Sequence, residues 1–393
     1  PFTPKQGPSE GSRSAITAFL PILLSPSPNA IETVDLPSPA GVGVRAVVIK
    51  KAVELGGSDI FIMPGAGVTV KINNDLVDLT DQIMKPDDTR ELIRNMYEMI
   101  HRDFEILERE GDDDFSFAIA NVSRFRVNTY KQRGSLAAIC RIVNFDLPDP
   151  ASMHIPGIVM ELSSMRSGMI LVTGPAGSGK STTLACVIDQ INQTRSGHIV
   201  TVEDPIEYLH RHKKSLVTQR EVPNDAASFS RALRAALRQA PDVVMLGEMR
   251  DLDTIRTAIT AAETGHLVFG TLHTGSAADS IDRMVQVFPE AAQNQIRLQL
   301  SMTLVAVLTQ QLMPKKGGGR ALAAEFMIVT DAIRNLIRSG NTPQIANAVA
   351  TSATIGGQTM DMALVRLVRQ GDITKETALH YAHDESYVKK NAL

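Results

Sequence analysis

The sequence predicts an α/β protein of two domains, the second with a mainly parallel sheet and a helical carboxyl-terminal part. Three observations support this fold class. Short β-branched runs alternate with helical stretches between residues 169 and 273, a pattern typical of β-α-β units. A glycine-rich segment joins one of these runs to a helix. The chain of 393 residues also exceeds what one hydrophobic core usually organises.

Composition indicates an ordinary globular chain, with 43% hydrophobic and 21% charged residues. Its 40 basic and 43 acidic residues give a formal charge of −3, so no overall field attracts nucleic acid. Cys140 and Cys186 are too few for a disulfide framework or a four-cysteine zinc site, and we interpret them as structural thiols. No apolar run approaches the roughly 18 residues that span a bilayer. We therefore expect no nucleic-acid partner and no membrane span.

The first 45 residues are rich in proline, serine and glycine, a composition that rarely forms regular structure unless it is docked. We therefore interpret residues 1–45 as a tail, flexible or docked. The apolar stretch from Ala15 to Leu24 within it is interpreted as a packing strand or a sticky segment. Because the chain begins with Pro1, we expect that its natural start is missing or replaced.

The sequence pattern of residues 46–145 predicts a first, small α/β domain. One helical pattern ends at Gly56-Gly57, and a second runs as a single helix from about Asp88 to Glu108. Five strand-like runs accompany them: DIFIM, VTVKI, FSFAI, RFRVNTY and SLAAICRIV. The next segment, residues 146–156, carries three prolines and no periodicity, which predicts a linker and a natural hinge.

The second domain is predicted to comprise residues 157–393. Its strand-like runs are MILVT, HIVTVE, DVVMLGE and HLVFGTLH. The last hundred residues are predicted to be mostly helical. Two apolar stripes at helical spacing are Ile296, Leu300, Leu304 and Val307 before Pro314, and Ile333, Leu336 and Ile337 before Gly340.

Residues 174–181 form a P-loop between an apolar strand and a helix. The glycines let backbone N–H groups surround phosphate oxygens. Lys180 can reach the β and γ phosphates, and Ser181 can ligate Mg²⁺. The sequence therefore predicts ATP and Mg²⁺ as ligands, with a binding segment formed by Gly174, Pro175, Ala176, Gly177, Ser178, Gly179, Lys180, Ser181 and Thr182.

Two glutamates at strand ends are the candidate acidic groups. Glu248 ends DVVMLGE, where ligands of open α/β sheets bind, and we predict that it is the Mg²⁺-side carboxylate, although P-loop enzymes usually have an aspartate there. Glu203 follows another apolar strand, before the Asp204-Pro205 turn, and can orient the water for hydrolysis. Glu207 competes for that role, and the sequence leaves the choice open.

His266 and His273 flank the strand LVFGTL. No cysteine or acidic cluster accompanies them at ligand spacing, which disfavours a metal pair. We interpret them as neutral histidines that sense the γ-phosphate. The alternative is two ordinary histidines at the ends of a strand.

The segments GPAGSGKS, TVEDPIEYLH, LGEMRD and TGHLVFGTLHT resemble, in this order, the four boxes of the secretion ATPase superfamily of hexameric motors. AIRNLIRSG at 332–340 resembles the signature of the type IV pilus retraction ATPases, the PilT family. The resemblance covers roughly residues 46–385. It departs at Phe61, where the family commonly has histidine, and in YKQRG, one residue shorter than the frequent form, which leaves the role of Arg133 open.

The resemblance implies a PAS-like first domain and a RecA-like ATPase domain. It implies that Glu203 is the catalytic glutamate and that Glu248 belongs to an atypical Walker B motif. It also implies that Arg126 and Arg141 of one subunit complete the ATP site of its neighbour. Strand alternation is compatible with this, since it presents such guanidinium groups on one face. The alternative is a surface basic cluster paired with Asp112 to Asp114.

The function implied by the resemblance is that of a cytoplasmic homo-hexameric motor at the inner face of the cell membrane. It would hydrolyse ATP and act on an inner-membrane platform protein, so that pilin subunits leave the fibre during twitching motility. A related accessory retraction ATPase is a further implied partner. The helix face with Arg334, Asn335 and Arg338 would be a surface needed for retraction.

Three alternatives stay open. The first is a pilus assembly or type II secretion ATPase, against which we count the two cysteines and the short front end. The second is an accessory ATP-binding subunit that stiffens a partner motor without hydrolysing ATP. The third is a DNA-moving conjugation ATPase, which the acidic charge balance does not favour.

Overall fold

The computed structural model describes residues 42–392 except 73–74, 120–121 and 144–146, with side chains described from Val48 onward. Most of the predicted tail at 1–45, including the Ala15 to Leu24 segment, lies outside the described residues. The first helix begins at Val42. Among the helices described, none is both long and apolar enough to cross a bilayer.

The described part of the chain alternates helices and strands. The strands are β1 (Asp59–Ile62), β2 (Thr69–Ile72), β3 (Asp75–Asp78), β4 (Asp112–Ile119), β5 (Ser123–Gln132), β6 (Ser135–Val143), β7 (Gly168–Thr173), β8 (His198–Glu203), β9 (Leu216–Glu221), β10 (Val243–Leu246), β11 (Leu267–Leu272), β12 (Leu304–Pro314) and β13 (Arg320–Ile328). The helices are α1 (Val42–Glu54), α2 (Pro86–Met99), α3 (Glu105–Glu110), α4 (Gly157–Glu161), α5 (Lys180–Thr194), α6 (Phe229–Ala236), α7 (Leu252–Glu263), α8 (Ala277–Gln286), α9 (Glu290–Thr303), α10 (Asp331–Ser339), α11 (Ile345–Thr351), α12 (Met360–Arg369), α13 (Lys375–His380) and α14 (Glu385–Asn391). Short 3-10 turns occupy Leu162–Ser164, Thr342–Gln344 and Ala353–Ile355.

The first six strands form one antiparallel sheet in the order β3-β2-β1-β6-β5-β4. Helix α2 lies against β6. The core between them contains fully buried Ile60, Tyr97 and Phe125. This sheet and its helices form the smaller α/β domain.

The prediction of a single helix from Asp88 to Glu108 is wrong, because α2 and α3 are separate helices. His101 between them has φ 54°, a left-handed conformation that ends a helix. The break brings the Phe104 ring edge-on to Tyr97, with centroids 5.3 Å apart. The two helices pack on the same core, to which α2 contributes Ile93 and α3 contributes Leu107.

The remaining seven strands form the sheet of the larger domain, in the order β13-β12-β7-β11-β10-β8-β9. All neighbouring pairs are parallel except β12 with β13. Every residue of β7, β10 and β11 is buried, as expected of strands covered by helices on both faces. The carboxyl ends of β7, β8, β10 and β11 therefore meet at one edge of the sheet.

The stripe from Ile296 to Val307 is not one helix, and this prediction is corrected. Helix α9 ends at Thr303, and Leu304 begins β12, which pairs with both β7 and β13. Leu304 and Val307 are fully buried in a strand covered on both faces, and periodicity alone does not separate such a strand from a buried helix. The predicted helical carboxyl-terminal part follows as α10 to α14, and α10 ends at Gly340 with φ 74° as expected.

Strand β13 also connects two helices through one side chain. Glu325 is 6% exposed, and its Oε1 accepts the amide of Ala277, the first residue of α8, at 2.7 Å. The backbone of Met360, the first residue of α12, also lowers the pKa of this carboxylate. Burial raises the pKa of Glu325 even though these backbone groups oppose the shift.

The later part of the predicted linker packs against the larger domain. Ile155 is buried in that domain's core, and the Cys186 thiol donates to the Pro148 carbonyl at 3.4 Å. Burial raises the pKa of the Cys186 thiol to about 11, so this cysteine is an unreactive packing residue. The hinge and the domain boundaries at 146 and 156 stay predictions.

Candidate active site

The phosphate loop joins β7 to α5 at the carboxyl edge of the larger sheet. Gly174 follows β7 directly with φ 137°, and a Cβ there would lie 2.2 Å from the Gln310 carbonyl oxygen. Gly179 adopts φ 90° as the N-cap of α5. These positions require glycine, and the loop they allow presents backbone N–H groups at a helix N-terminus, where anions bind.

Lys180 is the first residue of α5 and is 9% exposed. Its Nζ donates to the carbonyls of Gly174 at 2.8 Å and Pro175 at 2.9 Å. Burial lowers the pKa of Lys180, while Glu207 and Glu248 oppose the shift. The buried Ser178 hydroxyl has no hydrogen-bond partner among the described residues, and a phosphate oxygen would satisfy such a group.

Glu203 ends β8 and is 8% exposed. Its Oε1 accepts hydrogen bonds from Thr201 Oγ1 at 2.6 Å and Gln219 Nε2 at 3.1 Å. Burial raises the pKa of Glu203 to about 7, against the lowering effect of these two bonds. A carboxyl group with this pKa can accept a proton at neutral pH, which suits a general base.

Glu248 follows β10 and stands in a different environment. Its Oε2 lies 2.7 Å from Arg250 Nη2 and 3.9 Å from His273 Nε2. Burial and the charge of Lys180 lower the pKa of His273, so its imidazole is neutral at pH 7. The structure therefore brings an ion-paired carboxylate and a neutral histidine to the same edge as the P-loop.

One pocket brings together the P-loop lysine and the candidate glutamates. Its walls include Lys180, Ser181, Glu203, Glu207 and Glu248. Glu207 is exposed whereas Glu203 is buried, a difference that the sequence did not reveal. The hydroxyls of Thr182 and Tyr208 lie 3.0 Å apart beside this pocket.

His266 does not join this cluster. It precedes β11 at its amino end, whereas His273 follows the carboxyl end, and six residues of strand span roughly 20 Å. Its Nδ1 lies 3.0 Å from the Ala261 carbonyl oxygen. The prediction that both histidines sense the same phosphate is therefore corrected, because parallel strands present only their carboxyl ends to the P-loop edge.

Arg126 and Arg141 lie directly opposite each other on β5 and β6, so their side chains share one face. Both are exposed. Arg141 Nε donates to Asp59 Oδ1 at 2.9 Å, so its partner is not among the acids at 112–114 that the surface-cluster alternative required. Within the described part of the chain, neither arginine hydrogen-bonds or ion-pairs with the P-loop, Glu203 or Glu248.

Sequence reasoning missed the residues that hold Glu203 and Glu248. Thr201 lies two positions before Glu203, and strand alternation could have identified it. Gln219 had no local signal, because its contact depends on the pairing of β8 with β9. Arg250 is the basic residue of LGEMRD, and its spacing from Glu248 alone did not predict the ion pair.

A P-loop between a buried parallel strand and a helix, with glutamates at the ends of two further strands, defines this protein as a P-loop ATPase. The α/β fold class predicted from the sequence is confirmed. The chain belongs to the type II/IV secretion system protein family, whose sequence profile matches residues 44–379.

Individual relatives match most of the chain. It is 45% identical over 324 residues to the type IV pilus retraction ATPase PilT of Pseudomonas aeruginosa, a match that covers 82% of this chain and 93% of that protein. It is 37% identical over 337 residues to the type IV pilus ATPase PilU of the same organism, covering 85% and 87%. A crystal structure of the pilus retraction motor PilT with bound ADP has a TM-score of 0.79 and 48% identity, covering 87% of this chain and 98% of that one.

Proposed function

We propose that this chain is an ATP-driven motor of type IV pilus retraction that works as a homo-hexamer. The observation that carries the proposal is one pocket lined by Lys180 of the P-loop, the buried Glu203 and Glu248. The 45% identity to a retraction ATPase over 93% of that protein's length supports retraction as the work performed.

In the proposed reaction, the loop amides, Lys180 and the Ser178 hydroxyl hold the phosphates of ATP. Glu203 orients a water molecule and accepts its proton as the water oxygen bonds to the γ-phosphorus. The bond from the γ-phosphorus to the bridging oxygen breaks at the same step, which leaves ADP and inorganic phosphate. Neutral His273, whose Nε2 lies 3.9 Å from Glu248 Oε2, would donate a hydrogen bond to the γ-phosphate.

Mg²⁺ fits the same pocket. The Ser181 hydroxyl and the Glu248 carboxylate both line it, and Mg²⁺ is commonly held by one or two protein oxygens together with substrate phosphates and water. Among the described residues no group of three or more His, Cys, Asp or Glu could hold a metal, so the substrate and water would supply the remaining ligands. When bound, it would neutralise phosphate charge.

The exposed arginines support a site shared between subunits. Arg126 and Arg141 face each other across two strands, where like charges destabilise a sheet. Of the two, only Arg141 has an ion pair among the described residues, with Asp59. A phosphate group of a neighbouring subunit's ATP would offset that repulsion and use both guanidinium groups. The P-loop of one subunit and the first domain of the next would then form one catalytic unit.

In the cell, we propose that the ring lies on the cytoplasmic face of the inner membrane and acts on a pilus platform protein. Movement of one domain against the other would couple hydrolysis to removal of pilin subunits. A related ATPase is proposed as an accessory partner, a role supported by the similarity to PilU.

Steady-state ATP hydrolysis tests the enzymatic part of the proposal. Glu203→Gln should lower kcat by about 10²-fold or more, the usual contribution of a general base, while it keeps nucleotide binding. Lys180→Ala should lose nucleotide binding. A wild-type rate no higher than that of Glu203→Gln would instead favour the accessory, non-hydrolysing role.

A deletion strain tests the direction of work. Loss of a retraction motor should leave the cell with surface pili that are abundant and do not retract. Absence of pili in that strain would contradict retraction and favour the assembly ATPase.

A further inference from the structure

The carboxylate of Glu221 is a buried group to which the reaction gives no role. Glu221 ends β9, lies beside Glu203 in the β8–β9 register and is 2% exposed. Its Oε1 accepts hydrogen bonds from Ser116 Oγ at 2.7 Å and Asn224 Nδ2 at 2.6 Å. Its Oε2 accepts the Ile206 amide at 3.1 Å. Both oxygens are therefore fully engaged.

Two of the groups around Glu221 belong to the smaller domain. Ser116 lies on β4, and Arg124 on β5 places its Nη2 3.4 Å from Glu221 Oε2. Burial alone would raise the pKa of Glu221, but the bonds from Ser116 and Ile206 and the charge of Arg124 bring it below its usual value. The carboxylate is therefore ionised, and its cation comes from the other domain.

The contacts of Glu221 continue to Glu203. Ile206 lies in the turn that follows Glu203, and the Val222 amide donates to the Glu203 carbonyl at 2.8 Å. Gln219, two residues before Glu221, donates to the Glu203 side chain and to the Tyr208 carbonyl at 2.9 Å. Strand β9 thus holds the segment from Glu203 to Tyr208 at both ends.

We propose that Glu221 is a positioning residue that makes the placement of Glu203 depend on contact between the two domains. Ser116 and Arg124 hold the carboxylate of Glu221, which holds the turn after Glu203 through the Ile206 amide. If the domains separate, the carboxylate loses Arg124 and Ser116 and is opened to water, which competes for the oxygen that holds the Ile206 amide. This inference rests on the role of Glu203 in the proposed function.

Kinetics of Arg124→Gln and Ser116→Ala test the inference. Because the contacts act on Glu203 and not on the phosphate loop, kcat should fall by about tenfold or more for Arg124→Gln, the usual effect of losing a charge-assisted bond. The affinity for a non-hydrolysable ATP analogue should stay within about twofold of wild type. Arg124→Lys, which keeps the charge, should recover part of the loss.

Arg90→Gln is the matched control. Arg90 pairs with Glu108 inside the smaller domain and has no contact with Ser116, Arg124 or Glu221 among those described, so its loss should leave kcat unchanged. A double-mutant cycle of Arg124→Gln with Glu221→Gln should be non-additive, since residues that act as a unit lose their shared effect once. Additive losses, or an equal loss in Arg90→Gln, would overturn the inference.

Ser116→Ala removes only a hydroxyl group. It provides a second test of the same contact if Arg124→Gln does not fold. Wild-type kcat in Ser116→Ala and in every folded Arg124 variant would overturn the inference. The Glu203→Gln variant separates the two proposals. If it still hydrolyses ATP at the wild-type rate, the proposed catalytic role of Glu203 fails; if it is inactive while the Arg124 and Ser116 variants are normal, only the positioning role of Glu221 fails.

Discussion

Glu203 and Glu248 are two carboxylates in one pocket whose surroundings give them different chemistry. Glu203 is buried with neutral hydrogen-bond donors, and burial raises its pKa to about 7. Glu248 has an arginine at 2.7 Å. This difference in environment supports the proposal that Glu203 transfers a proton and that Glu248 neutralises charge.

The raised pKa of Glu203 has a consequence for stability. The usual pKa of glutamate is 4.5, and that of folded Glu203 is about 7, so between these pH values the folded protein keeps a proton that the unfolded chain releases. The resulting stabilisation of the folded state is complete below pH 4.5 and is lost as the pH rises through 7. We expect the nucleotide-free wild type to lose on the order of 1–3 kcal/mol of unfolding free energy, relative to Glu203→Gln, from about pH 5 to about pH 8. Urea unfolding of both proteins at the two pH values measures this change. If the unfolding free energies of wild type and Glu203→Gln differ by the same amount at both pH values, the raised pKa of Glu203 is contradicted.

The same group should control the pH dependence of turnover. A base must be deprotonated, so kcat should rise with pH with a midpoint near 7, the pKa of Glu203. The Thr201 hydroxyl lowers that pKa, and Thr201→Val should move the midpoint upward. Thr257→Val is the control, because the Thr257 hydroxyl donates only within its own helix, to the Asp253 carbonyl. An unchanged midpoint in Thr201→Val would argue against Glu203 as the titrating group.

Among the elements, α10 carries the sequence resemblance to retraction ATPases, and its two faces differ. Ile333 and Ile337 are fully buried in the core of the larger domain, and Leu336 packs against that core. Asn335 and Arg338 are exposed. Substitutions of the apolar residues therefore disturb the fold before they test a surface role.

Ile337→Ala and Arg338→Ala separate these effects. Removal of the buried side chain should lower the unfolding free energy by about 2–5 kcal/mol, whereas the exposed change should cost less than about 0.5 kcal/mol. Thermal unfolding measures both. If α10 is a retraction surface, Arg338→Ala should also reduce pilus retraction while ATP turnover stays near wild type; a loss of both in proportion would contradict this role.

For helices and strands, the sequence predicted strands from their composition and helices from the spacing of apolar residues. The prediction failed where the same spacing of apolar residues is compatible with both a helix and a strand. The strands β7, β10 and β11 are continuous apolar runs that only a buried parallel sheet explains well. Leu304 and Val307 belong to a strand that a helical spacing imitates. The break between α2 and α3 depends on the left-handed backbone conformation of His101, which the residue type does not predict.

In the whole molecule, residues that act together come from distant parts of the chain, and the sequence predicted only some of these groupings. Sequence order predicted Lys180, Glu203 and Glu248 as one group, because each stands at or after the carboxyl end of a strand of the same sheet, and all three line one pocket. The contacts of Gln219, Ser116 and Arg124 were not predictable, since they join residues far apart in the chain through strand register and domain contact.

Mixed assemblies test whether the site is shared between subunits. Arg126→Ala and Lys180→Ala proteins should each have little activity, but in a mixture some interfaces combine an intact P-loop with intact arginines and recover turnover. ATP hydrolysis measured across mixing ratios should therefore exceed the sum of the separate proteins. No recovery at any ratio, with assembly verified by size, would contradict a shared site; a mixture of Lys180→Ala with Lys180→Ala,Arg126→Ala is the control.

The carboxylate of Glu325 gives the larger domain a mechanical property. It accepts the first amide of α8, the helix that follows His273. Helix α12 packs against the same strand, so β13 lies between the carboxyl-terminal helices and α8. A displacement of β13 that kept this hydrogen bond would carry the first turn of α8 with it, close to His273 and the phosphate edge.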